Sequence, residues 1–523
     1  MFRGQIFEAR QQSLSPLIAL FAAASLVVLG LALVKSPTDL VLLLAVALGV
    51  IVAFMRPDWF IYFCLFTLPI DFARTVRGFP VAIEESYVLA LPFVVLHRWA
   101  GGKIVRRLKL HSAYLFPVLG IVLLTGLLYF RGQGFGDYVK TMGRLAEAIS
   151  VAWAILSVAT TWDRQRKMIY SFFGGALVNC VLIFIQMIAR GPTWIYYFVR
   201  GTDPTAFSPG RVTHDYWVGR GTGFLGPSGI AIFMEVLLPL ALYRLLSAKR
   251  KLWHFVVLAL LWGGILLTFT LVPILVAVAT SALLLLVMRK FNWKIILAIV
   301  LLAGTSIFML SHSYLHRQLE GHLQAVRQTE RYQRLTMIKL GWELFERHPI
   351  VGYGPAAGEW TMLRLGSFWS KHYALAGSHT VYLDLADEFG LLGLVCYGWI
   401  WFRALQLGYR SFRDRSLAQR RFEAVALGCA VVAALMQGFT DPALFNRERF
   451  ALYALLECSY LLLRSDRKAA LAAALNGAKT GLSNLQPVFR VATGMAPSRL
   501  RFGRGMASRS PARKAAPPDK QSV

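Results

Sequence analysis

The chain has 523 residues, 56% of them hydrophobic and 16% charged, with a formal net charge of +29. An ordinary soluble domain is about 25% charged, so a soluble globular enzyme is excluded and a polytopic membrane protein remains. The positive balance does not point to nucleic acid, because the Lys and Arg residues cluster in short loops, as the positive-inside rule requires.

In chain order, apolar length predicts about fourteen spans. They lie at roughly 14–34, 38–55, 58–70, 86–97, 113–130, 145–161, 168–189, 226–246, 252–270, 271–288, 294–311, 389–406, 422–440 and 450–463. The first block is longer than the roughly 7–15 apolar residues of a cleavable signal. The third and fourth are short, and the polar stretch Asp71–Arg77 separates them. The expected fold class is therefore an all-α polytopic membrane protein of about 12–14 helices, with a large, partly helical outer loop. Cys64, Cys180, Cys396, Cys429 and Cys458 all fall in apolar segments and read as small hydrophobes; no CxxC pair is present.

Loop charge sets the orientation. The segments Arg98–Lys109, Arg164–Lys167, Lys249–Lys251, Arg289–Lys294 and Arg403–Arg421 are rich in Lys and Arg. With the N-terminus in the cytoplasm, all of them and the C-terminus fall on the cytoplasmic side. Two long polar loops then face outward, about Arg190–Leu225 and about Ser311–Glu388. The domain reading is a transmembrane domain over 1–464, containing the 311–388 outer loop, and a basic cytoplasmic tail over 465–523, expected to be disordered. That tail is either simply solvated or drawn to anionic lipid.

Candidate chemistry gathers in the outer loops. His379 directly precedes a predicted helix that Ser378 or Thr380 would cap. A helix N-terminus disfavours imidazolium, which keeps a histidine neutral and able to accept a proton. The same residue also reads as a plain interfacial polar group. Arg211, Arg220, Arg327, Arg331 and Arg334 lie on the side where the positive-inside rule expects few basic residues. They fit either a phosphate-bearing ligand or pairing with Asp203, Asp215, Glu320 or Glu330.

The run Gly352-Tyr353-Gly354-Pro355-Ala356-Ala357-Gly358 follows a predicted helix over Trp342–His348. It is therefore a turn and not a dinucleotide fingerprint, which needs a preceding strand. Metal-ligand spacing, a P-loop and a nucleophile elbow are all missing from the sequence. Glu147 and Glu235 are the best mid-span ionisable residues, the feature a transporter would need.

Four motifs together resemble the O-antigen ligase and O-antigen polymerase superfamily. They are Arg334-Leu335, His348-Pro349-Ile350-Val351-Gly352-Tyr353-Gly354, His379-Thr380-Val381-Tyr382-Leu383 and Glu388-Phe389-Gly390-Leu391-Leu392-Gly393. Upstream, Arg220-Gly221-Thr222-Gly223-Phe224-Leu225-Gly226-Pro227-Ser228 is similar to the family's Arg-x-x-Gly-x-Phe-x-x-Pro-Asn segment. Departures are Thr380 for the usual Asn, Ser228 for Asn, and Thr268–Pro273 where the family carries a Ser-Arg pair. They mark a divergent branch.

The resemblance implies a metal-independent, inverting glycosyltransferase of GT-C type without a cofactor. His379 would be the catalytic base, and Arg220, Arg334 and Arg211 would bind the substrate diphosphate. Gly352, Gly354, Glu388 and Gly390 would form the loop scaffold. The implied partners are an undecaprenyl-diphosphate-linked oligosaccharide, a glycan or lipid A-core acceptor, the lipid bilayer and other polysaccharide-assembly proteins, with no nucleic acid. The implied location is the bacterial inner membrane. Polymerase is the preferred activity, ligase the alternative and flippase the reading from another class.

Overall fold

A computed structural model of the chain describes, in the main, residues 56–69, 73–76, 79–82, 135–188, 226–248, 251–268, 270–288, 337–354, 380–413, 418–439 and 447–493. Its contacts divide the chain into two compact units, Met1–Ser465 and Asp466–Val523. The second unit is described only as helix, up to Thr493.

The described architecture is helical. In order the helices are α1 (Pro57–Thr67), α2 (Phe135–Val158), α3 (Trp162–Ile188), α4 (Gly226–Ser247), α5 (Lys251–Leu267), α6 (Leu271–Val287), α7 (337–347), α8 (Val381–Arg413), α9 (Ala418–Gln437) and α10 (Arg447–Thr493). Nine of the fourteen predicted spans coincide with these helices. The other five, at 14–34, 38–55, 86–97, 113–130 and 294–311, lie outside the described residues, apart from Gly120 and Gly304. By length and apolarity three described helices suit a bilayer crossing: Trp162–Ile185, Gly229–Ser247 and Val381–Arg413. α5 and α6 are more apolar but shorter, at 17 residues each.

Two features differ from the sequence reading. A two-stranded antiparallel hairpin pairs β1 (Ala73–Val76), inside the stretch Asp71–Arg77 read only as polar, with β2 (Phe79–Ala82) just after it. Thr75, Val76 and Val81 supply β-branched residues there, and four paired positions are too few to give a strong periodic signal. The second difference concerns the tail. α10 continues to Thr493, so 465–493, expected to be disordered, is helical. Alanine and leucine dominate Ala469–Leu475, and high helix propensity extends the element past its apolar part. Residues from 494 on lie outside the description.

Packing relies on small residues, as expected where helices meet in lipid. α4 contacts α5, α6 and α9, and α3 contacts α1 and α5. At the α1–α3 crossing a methyl group on Gly175 would come 2.1 Å from the Phe66 carbonyl oxygen. Asn179 Nδ2 donates nearby to the Pro69 carbonyl at 3.0 Å, satisfying a buried amide. Gly408 of α8 and Gly428 of α9 face each other at a looser crossing, where a methyl on either would meet the other's Cα at 3.4 Å. Phe172 and Phe233 tilt together at 4.8 Å in the core. Cys64, Cys180, Cys429 and Cys458 are buried and all five cysteines are free, matching the sequence reading.

The ends of the helices are chemically distinct. Glu423, at the start of α9, is fully buried; Arg244 from the end of α4 meets it at 2.9 Å and Arg166 from the start of α3 at 3.6 Å. This gathers three of the Lys/Arg-rich helix ends at one end of the bundle. α9 has 20 residues, or about 30 Å of helix, close to the thickness of a hydrocarbon core. The start of α8 is packed at its far end.

Candidate active site

The start of α8 is built by capping. Thr380 Oγ1 accepts from the Leu383 amide at 3.1 Å, and the Thr380 carbonyl accepts from the Asp384 amide at 3.0 Å. Thr380 is therefore the cap, one of the two residues expected for it. The Val381 amide, which no intrahelical carbonyl can reach, donates to the Gly438 carbonyl at 2.8 Å. Gly438 directly follows α9, so an orphan donor of one helix meets a free acceptor at the end of the next.

Tyr382 makes a second bond to the same place. Its hydroxyl donates to the Leu435 carbonyl at 2.7 Å, and its ring lies 4.6 Å from that of Phe439. The glycine at 438 lets the two approach closely. A methyl group on it would sit 3.1 Å from the Leu435 carbonyl oxygen and 3.2 Å from the Tyr382 hydroxyl.

The helix then runs as far as Gly390 and breaks. Gly390 has φ 62° and ψ −159°, a conformation that only glycine adopts readily. Into this break fits the turn that follows α7. The Tyr353 and Gly354 amides donate to the Asp387 and Glu388 carbonyls at 2.8 and 2.7 Å. In return the Leu391 and Leu392 amides donate to the Pro349 and Ile350 carbonyls at 2.8 and 3.2 Å. The kink frees these groups from the α8 ladder, and the turn satisfies them. Gly352 and Gly354 have φ of 66° and 94°. His348 and Tyr353 close the turn with an edge-to-face contact at 4.4 Å.

Three carboxylates lie between the cap and the break. Asp384 and Asp387, one turn apart, are buried on one face of α8, and Glu388 is half-buried. Asp387 is 1% exposed, and its Oδ1 has no hydrogen-bond partner.

Of the sequence-predicted site residues, the scaffold set Gly352, Gly354, Glu388 and Gly390 is described and is brought together in one interlock. His379, Arg220, Arg334 and Arg211 lie outside the described residues. His379 is the residue immediately before the Thr380 cap in sequence. Glu147 and Glu235 are buried in α2 and α4.

Sequence reasoning missed Tyr382, Gly438 and Asp387. Tyr382 stands in the His379–Leu383 motif, but nothing in that motif names Leu435 as its partner. Gly438 has no local signal at all. The period of α8 puts Asp384 and Asp387 on one face, and that was the available clue to Asp387.

Residues 255–398 match a family model described as O-Antigen ligase. No curated protein matches the chain. The matched segment takes in most of α5, all of α6 and α7, the glycine turn and the first half of α8. It includes every residue of the interlock, whereas the partners of Val381 and Tyr382 at the end of α9 lie outside it. Over that segment the chain is similar to the O-antigen ligase family.

Proposed function

We propose that this chain, with an O-antigen ligase domain over residues 255–398, is a membrane glycosyltransferase that works at the periplasmic face on undecaprenyl-diphosphate-linked glycans. In this reading His379 takes the proton from an acceptor hydroxyl as that hydroxyl attacks the anomeric carbon of the donor. The glycosyl bond to the diphosphate breaks, and Arg220, Arg334 and Arg211 stabilise the charge gathering on the leaving lipid diphosphate. Inversion follows from a single displacement, and neither a metal nor a nucleotide sugar enters the scheme. Chain growth from lipid-linked repeats is the reaction we favour.

One observation carries the reading. The His-Pro-x-x-Gly-x-Gly turn and the Glu-x-Gly break are locked together through four backbone hydrogen bonds. The lock fixes the helix whose first residues directly follow His379, and a base needs such a fixed mount. Orientation is supported by charge. Arg166, Arg244 and Glu423 lie at one end of the bundle, and the motif-bearing start of α8 lies at the other. With the basic end cytoplasmic, the N- and C-termini are cytoplasmic and His379 faces the periplasm.

The test is His379→Ala in the producing cell, with the protein at its normal abundance. Glycan assembly should stop; normal assembly would remove His379 from the chemistry. The matching family model is described as a ligase, and that favours transfer of finished glycan to lipid A-core as the second reading. The lipid-linked pool of a null strain separates the two. Single repeats accumulate if the protein polymerises, and full-length chains accumulate if it ligates. Substrate retained on the cytoplasmic side would point to a flippase.

A further inference from the structure

We infer that Tyr382 is a positioning residue, and that its hydroxyl anchors the start of α8, the helix that directly follows His379 in sequence. The inference rests on His379 being the base.

The start of α8 is held at both ends. At Gly390 the glycine turn anchors it. At Thr380–Tyr382 it is anchored to the C-terminus of α9 by the Val381 amide on the Gly438 carbonyl and the Tyr382 hydroxyl on the Leu435 carbonyl, at 2.8 and 2.7 Å. The Val381 bond is backbone and belongs to any sequence. The Tyr382 bond is the side-chain anchor, and it sits three residues from His379. The glycine at 438 leaves it room: any side chain there would press on the hydroxyl.

The Leu435 carbonyl also accepts from the Gly438 amide at 3.0 Å. Losing the phenol therefore strands no buried acceptor, and the Tyr382 ring keeps its place on Phe439. Tyr382→Phe thus removes aim with little loss of fold. A base displaced by a fraction of an ångström loses rate, whereas the diphosphate-binding arginines lie on other segments and should keep their grip on the donor.

The experiment uses the full chain purified into nanodiscs. The donor is the lipid-linked glycan pool extracted from a null strain. Tyr382→Phe should lower kcat by about tenfold, with KM for the donor changed less than twofold and the thermal midpoint almost unmoved. Gly438→Ala, which crowds the same hydroxyl, should give the same selective loss, and it decides the matter if the phenylalanine variant fails to fold. His379→Ala runs alongside. An inactive His379→Ala with a fully active Tyr382→Phe overturns the inference and leaves the base intact. An active His379→Ala removes the base, and the inference with it. A rise in KM at constant kcat, or a loss of rate that tracks a fall in thermal midpoint, also overturns positioning.

Discussion

Gly352 and Gly390 are each backed by the peptide that leads up to the other, Glu388–Phe389 behind Gly352 and Ile350–Val351 behind Gly390. A methyl group on Gly352 would come 2.4 Å from the Glu388 carbonyl carbon, and one on Gly390 would come 2.4 Å from the Ile350 carbonyl carbon. Both have positive φ. The two motifs are therefore halves of one device, and neither glycine has a substitute.

Gly352→Ala and Gly390→Ala should each cost about 1–3 kcal/mol in backbone strain alone, before any overlap is relieved. Both variants should show thermal midpoints many degrees low, or fail to accumulate, and glycan assembly should fall with them. Gly398 is the control on the same helix. Nothing lies within 4 Å of a side chain there, so Gly398→Ala should leave the midpoint within a degree or two. Fluorescence-detected size-exclusion with a temperature ramp reads all three.

The α8–α9 crossing gives a graded prediction. Gly408 and Gly428 approach so that an added methyl on either meets the other's Cα at 3.4 Å. That is ordinary van der Waals contact, so Gly408→Ala should be close to neutral. Gly408→Leu overpacks the crossing and should cost about 1–3 kcal/mol. Equal midpoints for the two variants would show that the helices do not meet there.

Much of this arrangement was legible from residue order, for identifiable reasons. Apolar length alone located nine helices, because a bilayer demands long apolar segments whatever the packing. The Thr380 cap and the helix before His348 were visible because caps and turns are local chemistry. The interlock was visible only as two motifs. Their union depends on hydrogen bonds between residues far apart in sequence, and no periodicity encodes those. Tyr382 with Leu435 was hidden for the same reason. The β1–β2 hairpin escapes periodicity because it is short, and the helix over 465–493 because the basic character of the whole tail masks the helix propensity of Ala469–Leu475.

Glu423 should be the most sensitive ionisable residue at the opposite end of the bundle. It is fully buried between two arginines, and Arg244 is itself largely buried and stacked over the Tyr170 ring at 5.2 Å. Glu423→Ala leaves the Arg244 guanidinium uncompensated and should cost about 3–5 kcal/mol. Arg166 is half-exposed and more distant, so Arg166→Ala should cost no more than about 1 kcal/mol. The double variant Glu423→Leu with Arg244→Met removes both charges at similar volume and should recover much of the loss. Thermal midpoints for the three variants test the ordering.

Asp387 poses the opposite case, a charge-bearing group whose removal should help the fold. Its side chain is buried on α8, its Oδ1 lacks a hydrogen bond, and its nearest charged neighbours on the helix, Asp384 and Glu388, are acids. Burying a carboxyl on such terms is unfavourable, and Asn keeps the shape without the charge. The backbone carbonyl of Asp387, which accepts from Tyr353, is untouched by the change. Asp387→Asn should therefore raise the thermal midpoint, by an amount equivalent to about 1–3 kcal/mol. A lower midpoint would mean that the carboxylate is held by a cation. A higher midpoint with reduced glycan assembly would mark Asp387 as a group kept for function against the interest of stability, since stabilising a strained site commonly costs activity.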